Sequence, residues 1–161
     1  MEKERNFRVA NVDDVEDILS LSTHGQFYEP ILKYRFSDLK SLFTDLGYPE
    51  YIRGACVCSD ASNAMIGWAC CFRFNQRAGY SGVAQLVMDV DQSHAISDIA
   101  DGLYALCKEE SRRLEMHTIV SFAHDAMTES LTWHHENAFE MCGGIQVGDA
   151  EKMLVFSKKI R

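Results

Sequence analysis

The sequence gathers its reactive side chains in a few places. Cys56 and Cys58 precede the adjacent pair Cys70-Cys71, and His134-His135-Glu136 groups two imidazoles with a carboxylate. Cysteines at short spacing raise structural zinc, and clustered histidines raise a catalytic metal. The geometry each pattern implies argues against both. The four cysteines fall inside two strand-like runs rather than knuckle loops, and neighbours in a strand, such as Cys70 and Cys71, point to opposite faces. Adjacent histidines on a helix diverge by about 100°, whereas a ligating pair converges at i,i+4. Small buried thiols are the expected state of these cysteines, and no metal is expected. A third place is acidic: between His94 and Gly102 there is no Lys or Arg, but there are Asp98 and Asp101.

Composition narrows what these groups can serve. The 161 residues suit one ordinary domain, 1–161, able to bury roughly 70% of its unfolded surface without a staple. Sixteen Lys and Arg against 24 Asp and Glu give a net charge of −8. That balance excludes the clustered basic footprint of a nucleic-acid binder. The longest apolar run, Ala64 to Phe72, is too short to cross a bilayer, where about 20 residues are needed. No apolar stretch follows the charged N-terminus, so no secretory signal is expected. Six cysteines without such a signal point to free thiols in a reducing cytoplasm.

The elements that must position these groups follow from periodicity. Phe7 to Ala10 reads as a strand. Asn11 then caps a helix with Asp14 as capping-box partner, and Val12, Val15, Ile18 and Leu19 form its apolar stripe. A second helix is predicted after Ser37, with Leu39, Leu42, Phe43 and Leu46 on one side and Gly47 as the stop. Tyr51 to Ser59 and Met65 to Phe74 flank a turn at Asp60-Ala61-Ser62-Asn63, and Ser81 to Val90 is a third extended run. Ile96, Ile99, Ala100, Leu103, Leu106, Cys107 and Leu114 mark a long amphipathic helix, with Glu109 placed to pair with Arg112 or Arg113. His117 to Ala123 is a strand, and Met127 to Phe139 a helix closed near Gly143-Gly144. Ile145 to Val147 and Met153 to Phe156 form a final hairpin. Strand-helix-strand-helix within a mostly antiparallel chain predicts an α/β (α+β) fold, a mixed sheet with helices on both faces.

Three segments carry a family likeness. Phe72-Arg73-Phe74-Asn75-Gln76-Arg77-Ala78-Gly79-Tyr80, Val90-Asp91-Gln92-Ser93-His94 and Trp133-His134-His135-Glu136-Asn137-Ala138-Phe139 occur in the order and spacing of the GNAT N-acetyltransferases. The chain resembles their phosphinothricin-acetyltransferase-like branch over nearly its whole length, without a gap from Asp91 to Leu103. The resemblance implies a mixed, mostly antiparallel sheet, acetyl-CoA as cofactor, a small-molecule amine as acceptor and a homodimer, with neither nucleic acid nor membrane as partner.

For the site, the resemblance implies that the main chain of Leu86 to Val90, including Met88 and Val90, holds the pantetheine arm. It implies that Ala95, Ile96, Ser97, Asp98, Ile99 and Ala100 cradle the pyrophosphate at a helix N-terminus. The Met88 N–H would polarise the thioester carbonyl. His134 stands in the general-acid place. Gln85 stands where the branch carries an acid, and a glutamine orients an amine but takes no proton from it. Met127 replaces a polar cofactor contact. The phosphate loop departs from the family pattern, with Ile96 and Asp98 in place of glycines. A carboxylate about 4 Å from a phosphate costs ~4 kcal/mol at an effective dielectric near 20. An Asp in the first turn stabilises the empty helix end. Two readings follow: an acetyl-CoA-dependent N-acetyltransferase, or a module of the same fold that binds or dimerises without cofactor. Tyr28, Tyr34, Phe27 and Phe36 are candidates for the acceptor pocket.

Overall fold

The computed structural model describes residues 5–21, 52–74, 78–146, 149 and 152–160. The helix expected after Ser37 and the aromatic cluster of Phe27, Tyr28, Tyr34 and Phe36 lie outside the described residues.

Strand β1 (Asn6–Val9) runs into a short 3-10 turn (Val12–Asp14) and helix α1 (Val15–Leu21). The capping box forms as its residue types demand. The Asn11 side chain accepts the Asp13 N–H at 2.8 Å, and the Asp14 carboxylate accepts the Asn11 N–H at 2.8 Å. Val15, Ile18 and Leu21 bury the inner face of α1, Leu19 is half-buried, and Val12 is exposed because it precedes the helix proper.

Strands β2 (Ile52–Ser59), β3 (Met65–Arg73) and β4 (Val83–Val90) form an antiparallel meander, with a 3-10 turn (Ala78–Tyr80) before β4. Helix α2 (Ile96–Arg113) crosses to β5 (Thr118–His124), and α3 (Thr128–Glu136) leads to the hairpin of β6 (Glu140–Gln146) and β7 (Lys152–Lys159). The sheet order is β1-β2-β3-β4-β5-β7-β6, with β4–β5 its one parallel pair. This is the mixed sheet that the element order predicts.

Two cores sit on opposite faces of the sheet. Ile18 and Leu21 of α1 pack on Val57, Trp68, Cys70 and Val87. On the other face, Ile96, Ile99, Leu103 and Cys107 of α2 and Trp133 of α3 pack on Cys56, Cys71, Leu86 and Met88. Cys70 and Cys71 therefore separate to opposite faces, as strand alternation requires. Helix α2 lies close on the sheet: a Cβ on Gly67 would stand 2.7 Å from the Ile99 side chain.

Three local expectations change. Arg113 pairs with Glu110 at 2.7 Å, not with Glu109. Helix α3 ends at Glu136, well before Gly143-Gly144, which lie inside β6. The residue that turns the chain is Ala138, at φ 56. The Phe139 N–H donates to the His134 carbonyl and the Ala138 N–H to that of His135, the bonding of a left-handed helix end. The left-handed conformation costs an alanine roughly 1–2 kcal/mol. Burial of Phe139 beside Trp133 and a bond from Lys158 Nζ to the Asn137 carbonyl hold it there.

Candidate active site

Strand β4 sits at the centre of the sheet and is buried on both faces from Ala84 to Val90. Its hydrogen bonds alternate. The Asp91 N–H reaches the Ile66 carbonyl and the Phe74 N–H reaches the Val83 carbonyl, so odd-numbered residues face β3. The Gly82 carbonyl accepts from His117 and Thr118, so even-numbered residues face β5. Pairing with β5 runs from Val83↔Thr118 to Leu86↔Ser121 and stops there, while β5 continues alongside β7 to His124↔Met153. The two parallel strands part after Leu86. The main-chain groups of Met88 and Val90 point into the gap.

One buried acid lies beside the gap. Asp89 is 1% exposed, and its Oδ1 accepts the Val90 N–H at 3.1 Å. Sequence reasoning missed this residue, because a lone acid in an apolar run carries no motif. Gln85 lies on the same face of β4, 8% exposed and four residues earlier.

Two turns frame the mouth of the gap. Between β4 and α2, the Asp91 carboxylate accepts the Ser93 N–H at 2.8 Å and the Ser93 hydroxyl, and the His94 N–H reaches the Asp91 carbonyl. The bonds from Ser93 hold the Asp91 carboxyl below the usual carboxylate range. Between β5 and α3, His124 Nδ1 accepts the Ala126 N–H at 3.1 Å. A cavity of about 290 Å³ lies between these turns, lined by Gln92, Ala126, Met127, Thr128 and Glu129. It stands near the lower end of the roughly 300–1,000 Å³ of small-molecule sites, sized for part of an extended ligand.

The start of α2 carries the expected acid, Asp98, in its first turn. Ala95 caps it with no side-chain hydrogen bond. Ile96, Ile99 and Ala100 turn into the core and leave the helix axis clear, while Ala95, Ser97 and Asp98 are exposed. Asp98 does not satisfy the helix end: its Oδ2 accepts Arg5 NH1 at 3.2 Å. Asp101 turns the other way, and its Oδ1 accepts Trp133 Nε1 at 2.9 Å and Asn137 Nδ2 at 3.0 Å. The basic group missing from the loop is thus supplied by Arg5, the residue before β1, and both acids are engaged laterally. The orphan N–H groups of the first turn keep their partial positive charge.

His134 sits beneath the fork. It is fully buried, and its ring stacks on Phe156 at 4.5 Å. Nδ1 donates to the Ser130 carbonyl at 2.7 Å, which fixes the tautomer, and Nε2 accepts the Ser121 hydroxyl at 2.9 Å. Burial lowers its pKa to about 4. At neutral pH this ring is uncharged and its one N–H is engaged. His135 is exposed, so the two rings diverge. Among the described residues, no group of three or more His, Cys, Asp or Glu is arranged to hold a metal.

An open strand edge at Met88, a cavity at the mouth and an uncapped helix start fit an extended, anion-bearing cofactor such as acetyl-CoA. No protein-family model and no curated protein matches the sequence. Solved structures do match. An N-acetyltransferase from Staphylococcus aureus Mu50 is 16% identical, with a TM-score of 0.75 over 98% of this chain and 99% of that one. A GNAT superfamily phosphinothricin acetyltransferase from Sinorhizobium meliloti, solved in complex with acetyl-CoA, is 17% identical, with a TM-score of 0.74 over 97% and 88% of the two chains. An acetyltransferase of the GNAT family from Streptococcus pneumoniae is 10% identical, with a TM-score of 0.76 over 98% and 100%. The divergent parallel pair β4–β5, with α2 starting at its mouth, is therefore the sheet of a GNAT acetyltransferase fold.

Proposed function

We propose that residues 1–161 form one acetyltransferase domain that moves an acetyl group from acetyl-CoA to a primary amine of a small molecule. The observation that carries this reading is the edge of β4 left without a β5 partner beyond Leu86, Met88 included, with a cavity lined by Gln92 and Met127 at the turns that follow the two strands. When bound, acetyl-CoA supplies a thioester, an acyl group ready for transfer. The Met88 N–H would donate to the carbonyl oxygen as negative charge develops there. The Val90 carbonyl would accept from the pantetheine arm, since the Val90 N–H is engaged by Asp89. The first-turn amides of Ser97, Asp98 and Ile99 would meet the pyrophosphate, with Arg5 offsetting Asp98. Gln85 would orient the amine. His134 would serve by packing: a neutral enclosed ring holds Ser121, and with it the last pair of the fork, in place. A homodimer, implied by the sequence resemblance, is a further expectation.

Two measurements test this reading. Calorimetric titration with acetyl-CoA is expected to show binding below millimolar. Thiol release from acetyl-CoA is then followed with a panel of common α-amino acids, ethanolamine and spermidine, and turnover is expected with at least one. No heat at millimolar acetyl-CoA overturns the proposal and leaves a cofactor-free module of the same fold.

A further inference from the structure

The sheet ends in two edges of opposite character. Strand β1 is four residues long, and its Arg8 is tied to Asp14. Shortness and charge are devices that keep an edge from pairing with another chain. Strand β6 has little of either. Its seven residues are all exposed, and Glu140 is its one charge. Among the described residues β6 pairs with β7 alone, so the main-chain N–H and C=O groups of its outer edge have no strand partner. The strand bends once, at the register shift between Met141 and Gly143.

The side chains along this edge suit contact. Met141 is 64% exposed and Ile145 49%, apolar surface toward each end of the strand. Gly143 and Gly144 lie between them. Glycine weakens a strand, and it marks places where another backbone comes close. Where a Cβ would stand at Gly143, nothing lies within 4 Å.

An edge of this kind is completed by another strand, and the charges here fit a second copy of the same one. Gln146 pairs in register with Lys152, whose side chain folds back across Gly144. Its Nζ lies 3.4 Å from where a Gly144 Cβ would stand. No described acid pairs with that ammonium. We propose that two copies join β6 to β6, antiparallel about a two-fold axis near Gly143, so that the seven strands of each continue into one sheet. The two-fold brings Glu140 of each copy to the Lys152 end of the other, carboxylate toward ammonium. It also keeps the two Glu140 side chains roughly 20 Å apart. Parallel pairing would set one carboxylate against the other. Met141 and Ile145 of both copies are covered in the same step. This gives the expected homodimer a surface, and it does not depend on acetyl transfer.

Sedimentation velocity over about 2–200 µM protein reads the assembly. An edge contact is small for an interface, so wild-type protein is expected to pass from monomer to dimer within that range. Ile145→Lys, at an exposed position, should raise the dissociation constant about tenfold without lowering Tm. Glu140→Lys should weaken the dimer too, and combining it with Lys152→Glu should restore it. The other five cysteines are buried, and the axis sets the two Cys142 within roughly 10 Å of each other. A short bis-maleimide should therefore link wild-type copies through Cys142 and fail to link I145K. Wild-type protein that stays monomeric overturns the inference. So does a dimer that neither I145K nor E140K weakens, or one that no Cys142 link captures. If I145K does not fold, E140K and its combination with K152E carry the test. Protein that dimerises this way but binds no acetyl-CoA overturns the acetyl-transfer reading and leaves this one standing.

Discussion

The Ser121 hydroxyl and His134 Nε2 lie 2.9 Å apart, directly under the last residue pair that joins the two parallel strands. Ser121 pairs with Leu86 on one side and with Phe156 on the other, and Phe156 stacks on the His134 ring. One buried imidazole thus ties three strands together at the point where the gap begins. Burial lowers the His134 pKa to about 4, against 6.5 in the unfolded chain. The folded state therefore refuses a proton that the unfolded state takes. This contribution to stability is complete above pH 6.5 and is lost as pH falls from 6.5 toward 4. The loss is on the order of 3 kcal/mol. Thermal melts should show Tm falling across that window. His134→Gln should start lower at pH 7 and stay flatter between pH 6.5 and 4. A wild-type Tm that holds constant over that window would contradict a buried neutral ring.

A second acid-linked contribution lies at the other edge of the sheet. Asp14 accepts both guanidinium nitrogens of Arg8 at 2.6 and 2.7 Å and also holds the Asn11 amide. The Arg8 contact, against the opposing effect of burial, keeps the Asp14 carboxyl below its ordinary range. The interaction is therefore present above the unfolded carboxylate value, near pH 4, and is lost as pH falls through the lower folded value. A double-mutant cycle of Arg8→Met and Asp14→Asn, read by urea unfolding at pH 7, should give a coupling of about 1 kcal/mol. The coupling should shrink as pH falls below about 4.

Gly67 sets how closely α2 lies on the sheet. An added methyl would meet Ile99 at 2.7 Å and Leu103 at 3.1 Å, both fully buried. Overpacking of this kind costs about 1–3 kcal/mol. Gly67→Ala should lower Tm by roughly 3–10 °C in a scanning melt. An unchanged Tm would mean that the helix can retreat without loss.

Asp101 braces α3 against α2. It accepts from Trp133, whose indole is 2% exposed, and from Asn137. Asp101→Ala leaves the indole N–H without an acceptor in the core, a loss of about 1–3 kcal/mol. Asp101→Asn keeps an oxygen in place and should lose much less. Urea unfolding followed by tryptophan fluorescence separates the two.

The Arg5–Asp98 pair makes opposite predictions for its two members. Without Arg5, a bare carboxylate stands in the first turn of the cofactor helix, and Arg5→Ala should weaken acetyl-CoA binding by about three- to tenfold. Asp98→Asn removes the repulsion and releases the guanidinium, and should tighten binding by a similar factor. Titration in 0.5 M salt should shrink both effects, since both groups are solvent-accessible.

Much of the architecture was legible in the sequence because its signals are local. The 3.6-residue stripe from Ile96 to Cys107 specifies a helix with one buried face, and alternation sends Cys70 and Cys71 to opposite cores. The Asn11–Asp14 capping box needs only its own four residues. The site was less legible, because its decisive relationships join residues far apart in the chain. In the sequence Asp98 stands alone against an anion; in the fold Arg5, 93 residues away, lies beside it. In the sequence Asp101 adds charge to the same loop; in the fold Trp133 and Asn137 engage it. His134 has the residue type of a proton donor, and only the packing of Phe156 and Ser121 around it makes it a neutral core residue. The chain turns out of helix α3 at Ala138 rather than at a glycine because Phe139 and Lys158 hold a backbone that an alanine does not choose alone. Patterning along the chain determined which strands and helices form and which faces they bury. Where two parallel strands stop pairing, and what surrounds His134 beneath that point, was decided by contacts that exist only once the chain has folded.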